Sequence, residues 1–252
     1  MPINFTQIIK DSFHFMQNEK RNIIVLCALY FFADIIMVLL QSAMLPNEIV
    51  VSLSNNQISS AISEEQGISL VTFFFLKQFI YIFISAWCLV TIHQISLRQF
   101  STVLQSFSST LKRIWGAMLL SFLIFIPILV GLTEAMIAIQ QKVQPSIISL
   151  FAIIIGIGLY IRLCLAPVHY LLTDAGISAS AKITWRAALG RATVLFIFCL
   201  LIYVLVPLAE SFLISLSSNA IMAVITGIIA ALINVFALVI TYRFYTLFIA
   251  KA

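Results

Sequence analysis

The sequence predicts an all-α fold: a six-transmembrane helix bundle built of three hairpins, each preceded by an amphipathic helix on the cytoplasmic surface. Three observations predict it. Hydrophobic residues make up 62% of the 252-residue chain and charged residues only 9%, against roughly 25% charged in a soluble domain. The apolar residues gather into six runs, each long enough to cross a bilayer as a helix of about 20 residues. Basic residues collect at alternate ends of those runs.

The runs are Asn22 to Leu45, Thr72 to Leu97, Gly116 to Ile139, Ile147 to Leu172, Thr193 to Leu216 and Ala220 to Tyr242. The first is too long for the core of a cleavable signal, contains Asp34 and lacks a small-x-small exit, so it reads as a span. Lys10, Lys20 and Arg21 precede span one; Arg98, Lys112 and Arg113 separate spans two and three; Lys182, Arg186 and Arg191 separate four and five; Arg243 and Lys251 follow six. Only Lys142 lies on the other side, where the first loop also carries Glu48, Glu64 and Glu65. Eleven basic residues against one place both termini in the cytoplasm. The net charge of +5 is therefore a topology signal and gives no reason to expect a nucleic-acid partner. The Ser-, Asn- and Gln-rich loop from Pro46 to Gly67 is expected outside, loosely ordered.

Each cytoplasmic segment is amphipathic at helical spacing. The predicted apolar faces are Phe5, Ile9, Phe13 and Met16; then Phe100, Val103, Leu104, Phe107, Leu111 and Ile114; then Ile177, Ala181, Trp185, Ala188, Leu189 and Ala192. Asp174 is placed to cap the third of these helices. The chain thus forms one polytopic membrane domain, divisible into three like units over 1–97, 98–172 and 173–252. CLVTIH (Cys88 to His93) and CLAPVH (Cys164 to His169) end the second and fourth spans at corresponding places. Units of one orientation imply an axis along the membrane normal, unlike inverted-repeat transporters.

Five ionisable groups lie within the spans: Asp34, Lys77, Glu134, Arg162 and Glu210. An uncompensated charge near the bilayer centre costs on the order of 3 kcal/mol or more, so such groups are paired, snorkelling or functional. Every outgoing span carries an acid (Asp34, Glu134, Glu210), and every returning span a base or an amide (Lys77, Arg162, Asn234). A rise of about 1.5 Å per residue puts Asp34 near the centre and Arg162 about 5 Å toward the cytoplasm. Lys77, Glu134 and Glu210 fall roughly 8 to 12 Å toward the outside. The predicted polar layer, which also includes Asn234, therefore pairs Arg162 with Asp34 and sets Lys77 between Glu134 and Glu210. Such pairs serve either as structural ties fixing helix register or as the walls of a polar cavity for a headgroup or a proton relay.

Other residues offer less chemistry. Pro127, Pro167 and Pro207 are expected to kink three spans. His93 and His169 read as interfacial histidines with one hydrogen bond each; a Cys and a His five residues apart on a helix point about 140° apart and form no chelate. Cys27, Cys88, Cys164 and Cys199 sit in apolar runs without C-x-x-C spacing and read as small core residues. No nucleophile elbow, phosphate loop or H-E-x-x-H helix occurs in the chain. No catalytic, cofactor or metal site is therefore expected. Arg113 with Trp115, and Trp185 with Arg186, form a predicted belt for anionic lipid headgroups, at about 1 kcal/mol per cation.

The run LAPVHYLLTDAGISASAKITWRAALGR, Leu165 to Arg191, followed by TYRFYTLF, Thr241 to Phe248, resembles the YciC-type family of bacterial inner-membrane proteins. The resemblance extends over essentially the whole chain and is most specific in that central stretch. It implies a Gram-negative inner membrane and carries no activity with it. Three hairpins with amphipathic helices also suggest mitochondrial carriers, but there the helix lies between the two spans of a repeat and carries a Pro-x-Asp/Glu-x-x-Lys/Arg signature. Here it precedes both spans, and Pro127, Pro167 and Pro207 lack that signature.

Abundant interfacial surface and the lack of a reaction centre lead to a first expectation, a non-enzymatic inner-membrane component that organises lipids or other inner-membrane proteins. The competing expectation is a permease or lipid transporter using the charged layer.

Overall fold

In the computed structural model, residues 4–45, 64–98, 103–216 and 219–250 are described. They are helical apart from short connections, with no strand among them, and six helices are long and apolar enough to cross a membrane. The expected loop from Pro46 to Gly67 lies outside the described residues except for its last four, which begin a helix; Phe100 and Lys251 also lie outside.

Helix α1 (Phe5–Asn18) is capped by Asn4, whose side chain accepts from the Thr6 and Gln7 amides at 3.0 and 3.4 Å. Its buried residues are Ile8, Ser12 and Phe15, while Ile9 and Phe13 are exposed. The expected face Phe5, Ile9, Phe13, Met16 is thus turned by about one residue. The aromatic contacts of Phe5 and Phe15 with the last helix of the chain set the rotation, which a periodicity alone leaves free.

Glu19, outside helical geometry, separates α1 from α2 (Lys20–Met44). The second span belongs to α3 (Glu64–Ser96), and the third to α4 (Val103–Gln140), a continuous 38-residue helix. The second amphipathic segment is therefore no separate interfacial helix, because nothing breaks the chain between it and the span. Its buried positions are Ser106, Thr110 and Ile114, with Leu111 exposed; Phe107 packs edge-on against Phe83 and Trp87 of α3.

Two of the three prolines interrupt their spans. The fourth span divides into α5 (Ile147–Leu163) and α6 (Ala166–Leu172), with Pro167 in the first turn of α6. Ahead of the fifth span lies α7 (Ile177–Ala188), which Gly176 precedes without a side-chain cap. Asp174 does not cap it; that carboxylate instead meets Arg113 at 2.9 Å. On α7 the buried residues are Ser180, Thr184, Ala187 and Ala188, and Leu189 beyond its end is exposed, so this face too departs from the expected one. Gly190, at φ +74°, makes the left-handed turn that follows, a conformation that disfavours any Cβ.

The fifth span divides into α8 (Ala192–Leu200) and α9 (Val206–Ser215), joined by a π-helical turn at Leu201–Leu205. Pro207 has no N–H for the carbonyl one turn back, and the wider turn accommodates that loss. Pro127 lies inside α4 without interrupting it. The sixth span is α10 (Ala220–Ala250).

Two helix groups make up the bundle. In the first, α10 packs on α1, α2, α3 and α9, and α2 runs antiparallel to α3 through Tyr30–Ser85 and Asp34–Tyr81. In the second, α4 lies against α5 and α6, and α7 covers α5 and α6. Glycine allows the close α4–α5 approach: a Cβ at Gly156 would fall 2.9 Å from the Ile128 backbone nitrogen, and one at Gly131 would fall 2.7 Å from the Ser149 carbonyl oxygen. The groups join along one large core at the end that holds both chain termini, where Phe198 stacks on Phe244 at 4.3 Å and Phe5 packs on the same ring.

Candidate functional site

Four helices each contribute a stripe at helical spacing to one cavity of about 440 Å³ in the half of the bundle away from the termini. Asp34, Val38 and Gln41 come from α2; Phe73, Lys77 and Tyr81 from α3; Glu210 and Ile214 from α9; Thr226, Ala230 and Asn234 from α10. Residues three, four or seven apart share a helix face, which explains why these side chains converge. Its size lies within the roughly 300–1,000 Å³ typical of small-molecule sites. Gly227 lets α10 come close to α2, since a Cβ there would meet the Phe31 ring at 3.2 Å.

Inside the cavity each carboxylate has one neutral donor. The Tyr81 hydroxyl donates to Asp34 Oδ1, and the Asn234 amide donates to Glu210 Oε1. Lys77 extends its ammonium over the Tyr81 ring, 6.0 Å from the centroid. Among the described residues no ion pair joins Lys77 to Asp34 or to Glu210. Three formal charges thus share a space without closing on one another.

Four members of the predicted layer, Asp34, Lys77, Glu210 and Asn234, are brought together here; Glu134 and Arg162 are not. Glu134 is half-buried on α4. Arg162 stacks over the Trp185 ring at 4.8 Å and lines a second, more open cleft with Gly158, Ile161, Ala192, Thr193 and Phe196. The expected Arg162–Asp34 pair and the placing of Lys77 beside Glu134 are therefore incorrect. Depth along the membrane normal fixes height but not direction, and α5 packs chiefly on α4, α7 and α8 instead of α2. Tyr81, Gln41 and Thr226 complete the cavity without having stood out in the sequence. The available signal for Tyr81 is its place one turn after Lys77 on the same helix face.

The predicted belt is divided in the same way. Trp115 (67% exposed) and Arg186 face outward. Arg113 is held within the protein by Asp174, by the Ala175 carbonyl at 3.0 Å and by the Tyr170 ring at 4.8 Å, while Trp185 supports Arg162. The two histidines of the repeated hexapeptide meet one helix: His93 Nδ1 lies 3.2 Å from the Tyr242 hydroxyl and His169 Nδ1 lies 2.8 Å from that of Tyr245.

A protein from Haemophilus influenzae described as "Uncharacterized protein" is 39% identical over 250 residues, covering 98% of this chain and 99% of the relative. The chain belongs to the family of that protein. Near-complete coverage of both means that the alignment takes in all six spans, cavity-bearing helices included. No family model matches the chain, and no solved structure matches it.

Proposed function

We propose that this protein is a non-enzymatic, multi-pass protein of the Gram-negative inner membrane that binds a polar ligand within the bilayer, in the manner of a permease. The observation that carries the reading is the cavity shared by Asp34, Lys77 and Glu210, in which no ion pair closes. Charges kept in a membrane at a cost, unpaired and facing a space of ligand size, are expected where a ligand completes the pairing.

The distribution of basic residues supports cytoplasmic termini, which puts the cavity in the outer half of the membrane. The YciC-type resemblance of Leu165 to Arg191 supports the compartment. We place this reading ahead of an organiser of lipids or envelope proteins because the cavity assembles named charged groups, and the organiser reading draws only on interfacial surface.

Native mass spectrometry of the protein gently extracted from its own membrane tests the proposal. The unmodified chain should carry a stoichiometric small ligand that Asp34→Asn and Glu210→Gln lose while accumulating normally. No adduct on the unmodified chain, or variants that fail to accumulate, would instead favour charges acting as structural ties.

A further inference from the structure

The charges in the cavity also describe the ligand, an identification that rests on the cavity being a binding site. We infer that it receives the headgroup of an amine-bearing zwitterionic phospholipid, with the primary ammonium on Asp34 and Glu210 and the phosphate on Lys77.

Two features point to this chemistry. The cavity offers two carboxylates and one ammonium, so a ligand carrying both signs meets each wall with its complement. Each carboxylate already accepts from one neutral side chain and retains acceptor capacity. A primary ammonium brings three N–H donors to that capacity, whereas a quaternary one brings none. A headgroup with net negative charge would face two carboxylates against one lysine. The phosphate has an unbridged ammonium available, since Lys77 forms no ion pair with either acid.

The second feature is the apolar part of the cavity lining. Val38 and Ile214 line the cavity and are 65% and 69% exposed, on helices long and apolar enough to cross a membrane. Exposed aliphatic side chains lining a charged cavity suit a molecule with a polar head and apolar tails. They favour a lipid over the same phosphoethanolamine group free in water. A lipid would enter sideways from the bilayer, its chains passing Val38 and Ile214.

The test uses delipidated full-length protein in detergent, titrated with short-chain phosphatidylethanolamine, phosphatidylcholine, phosphatidylglycerol or free phosphoethanolamine. Phosphatidylethanolamine should bind one to one and about tenfold or more tighter than the other three. Lys77→Met and Asp34→Asn should each weaken it by about tenfold, Lys77→Arg should retain it, and Arg162→Ala, outside the cavity, should leave it unchanged. Equal binding of phosphatidylglycerol, or full binding by Lys77→Met, overturns the assignment. Equal binding of free phosphoethanolamine overturns the lipid source. If the natively extracted protein holds some other ligand that Asp34→Asn releases, the cavity reading survives and this one fails; if it holds none, both fail.

Discussion

Tyr81 donates its hydroxyl hydrogen to Asp34 across the α2–α3 pair, one helical turn from the point where Tyr30 and Ser85 share a hydrogen of their own at 2.6 Å. The two contacts pair position 30 with 85 and 34 with 81, as antiparallel helices require, and fix their register. They also decide which way the Asp34 carboxylate faces, and so where the cavity's acidic wall stands.

Tyr81→Phe removes the donor and keeps the ring. Hydrogen bonds between membrane helices average about 0.6 kcal/mol, with a maximum near roughly 1.7. The variant should therefore lose only a few degrees in thermal unfolding in detergent, while its retention of cavity ligand in native mass spectrometry falls sharply.

At the α4–α5 contact the effect is steric. Gly156→Leu places a Cβ 2.9 Å from the Ile128 backbone nitrogen and 2.6 Å from that residue's side chain. Overpacking of this kind costs about 1–3 kcal/mol. Accumulation and thermal stability should both drop, whereas Gly158→Leu, which has open space at its Cβ, should behave as wild type.

Arg113 and Asp174 form an ion pair whose partners are unequal. Asp174 is fully exposed, and Arg113 has in addition the Ala175 carbonyl and the Tyr170 ring. Arg113→Ala should therefore destabilise the protein measurably, and Asp174→Ala should shift its unfolding little. Equal effects in a thermal melt would show that the ion pair alone ties α4 to the segment before α7.

Tyr245 is buried and meets His169 at 2.8 Å, a closer contact than Tyr242 with His93 at 3.2 Å. Tyr245→Phe should lower thermal stability more than Tyr242→Phe, because it leaves the more deeply buried histidine without its partner.

Much of this arrangement is legible in the sequence. The six spans follow from composition and length; the structure extends the second and sixth by about two turns and the third, which continues from Val103, by more than three. Asp34, Lys77, Glu210 and Asn234 stand out because charges and amides in hydrocarbon are costly wherever they occur. Azimuth is not legible. Helical rise predicts similar heights for Arg162 and Asp34, but they stand on helices belonging to different groups and line different clefts, which only tertiary packing decides. The α1 face differs from expectation for a related reason: Ser12, an unpromising core residue, is buried while Phe13 is exposed. Proline is readable as an interruption, but not as a helix break at Pro167, a π-turn before Pro207 and no break at Pro127.

Thermal stability of Lys77→Met in ligand-free detergent separates a ligand-binding charge from a structural one. A charge kept for a ligand burdens the empty protein, so its removal should leave the melting temperature unchanged or raise it. A fall of several degrees would contradict ligand binding as the reason for the charge, because it would mean that Lys77 holds the helices together instead of awaiting a ligand.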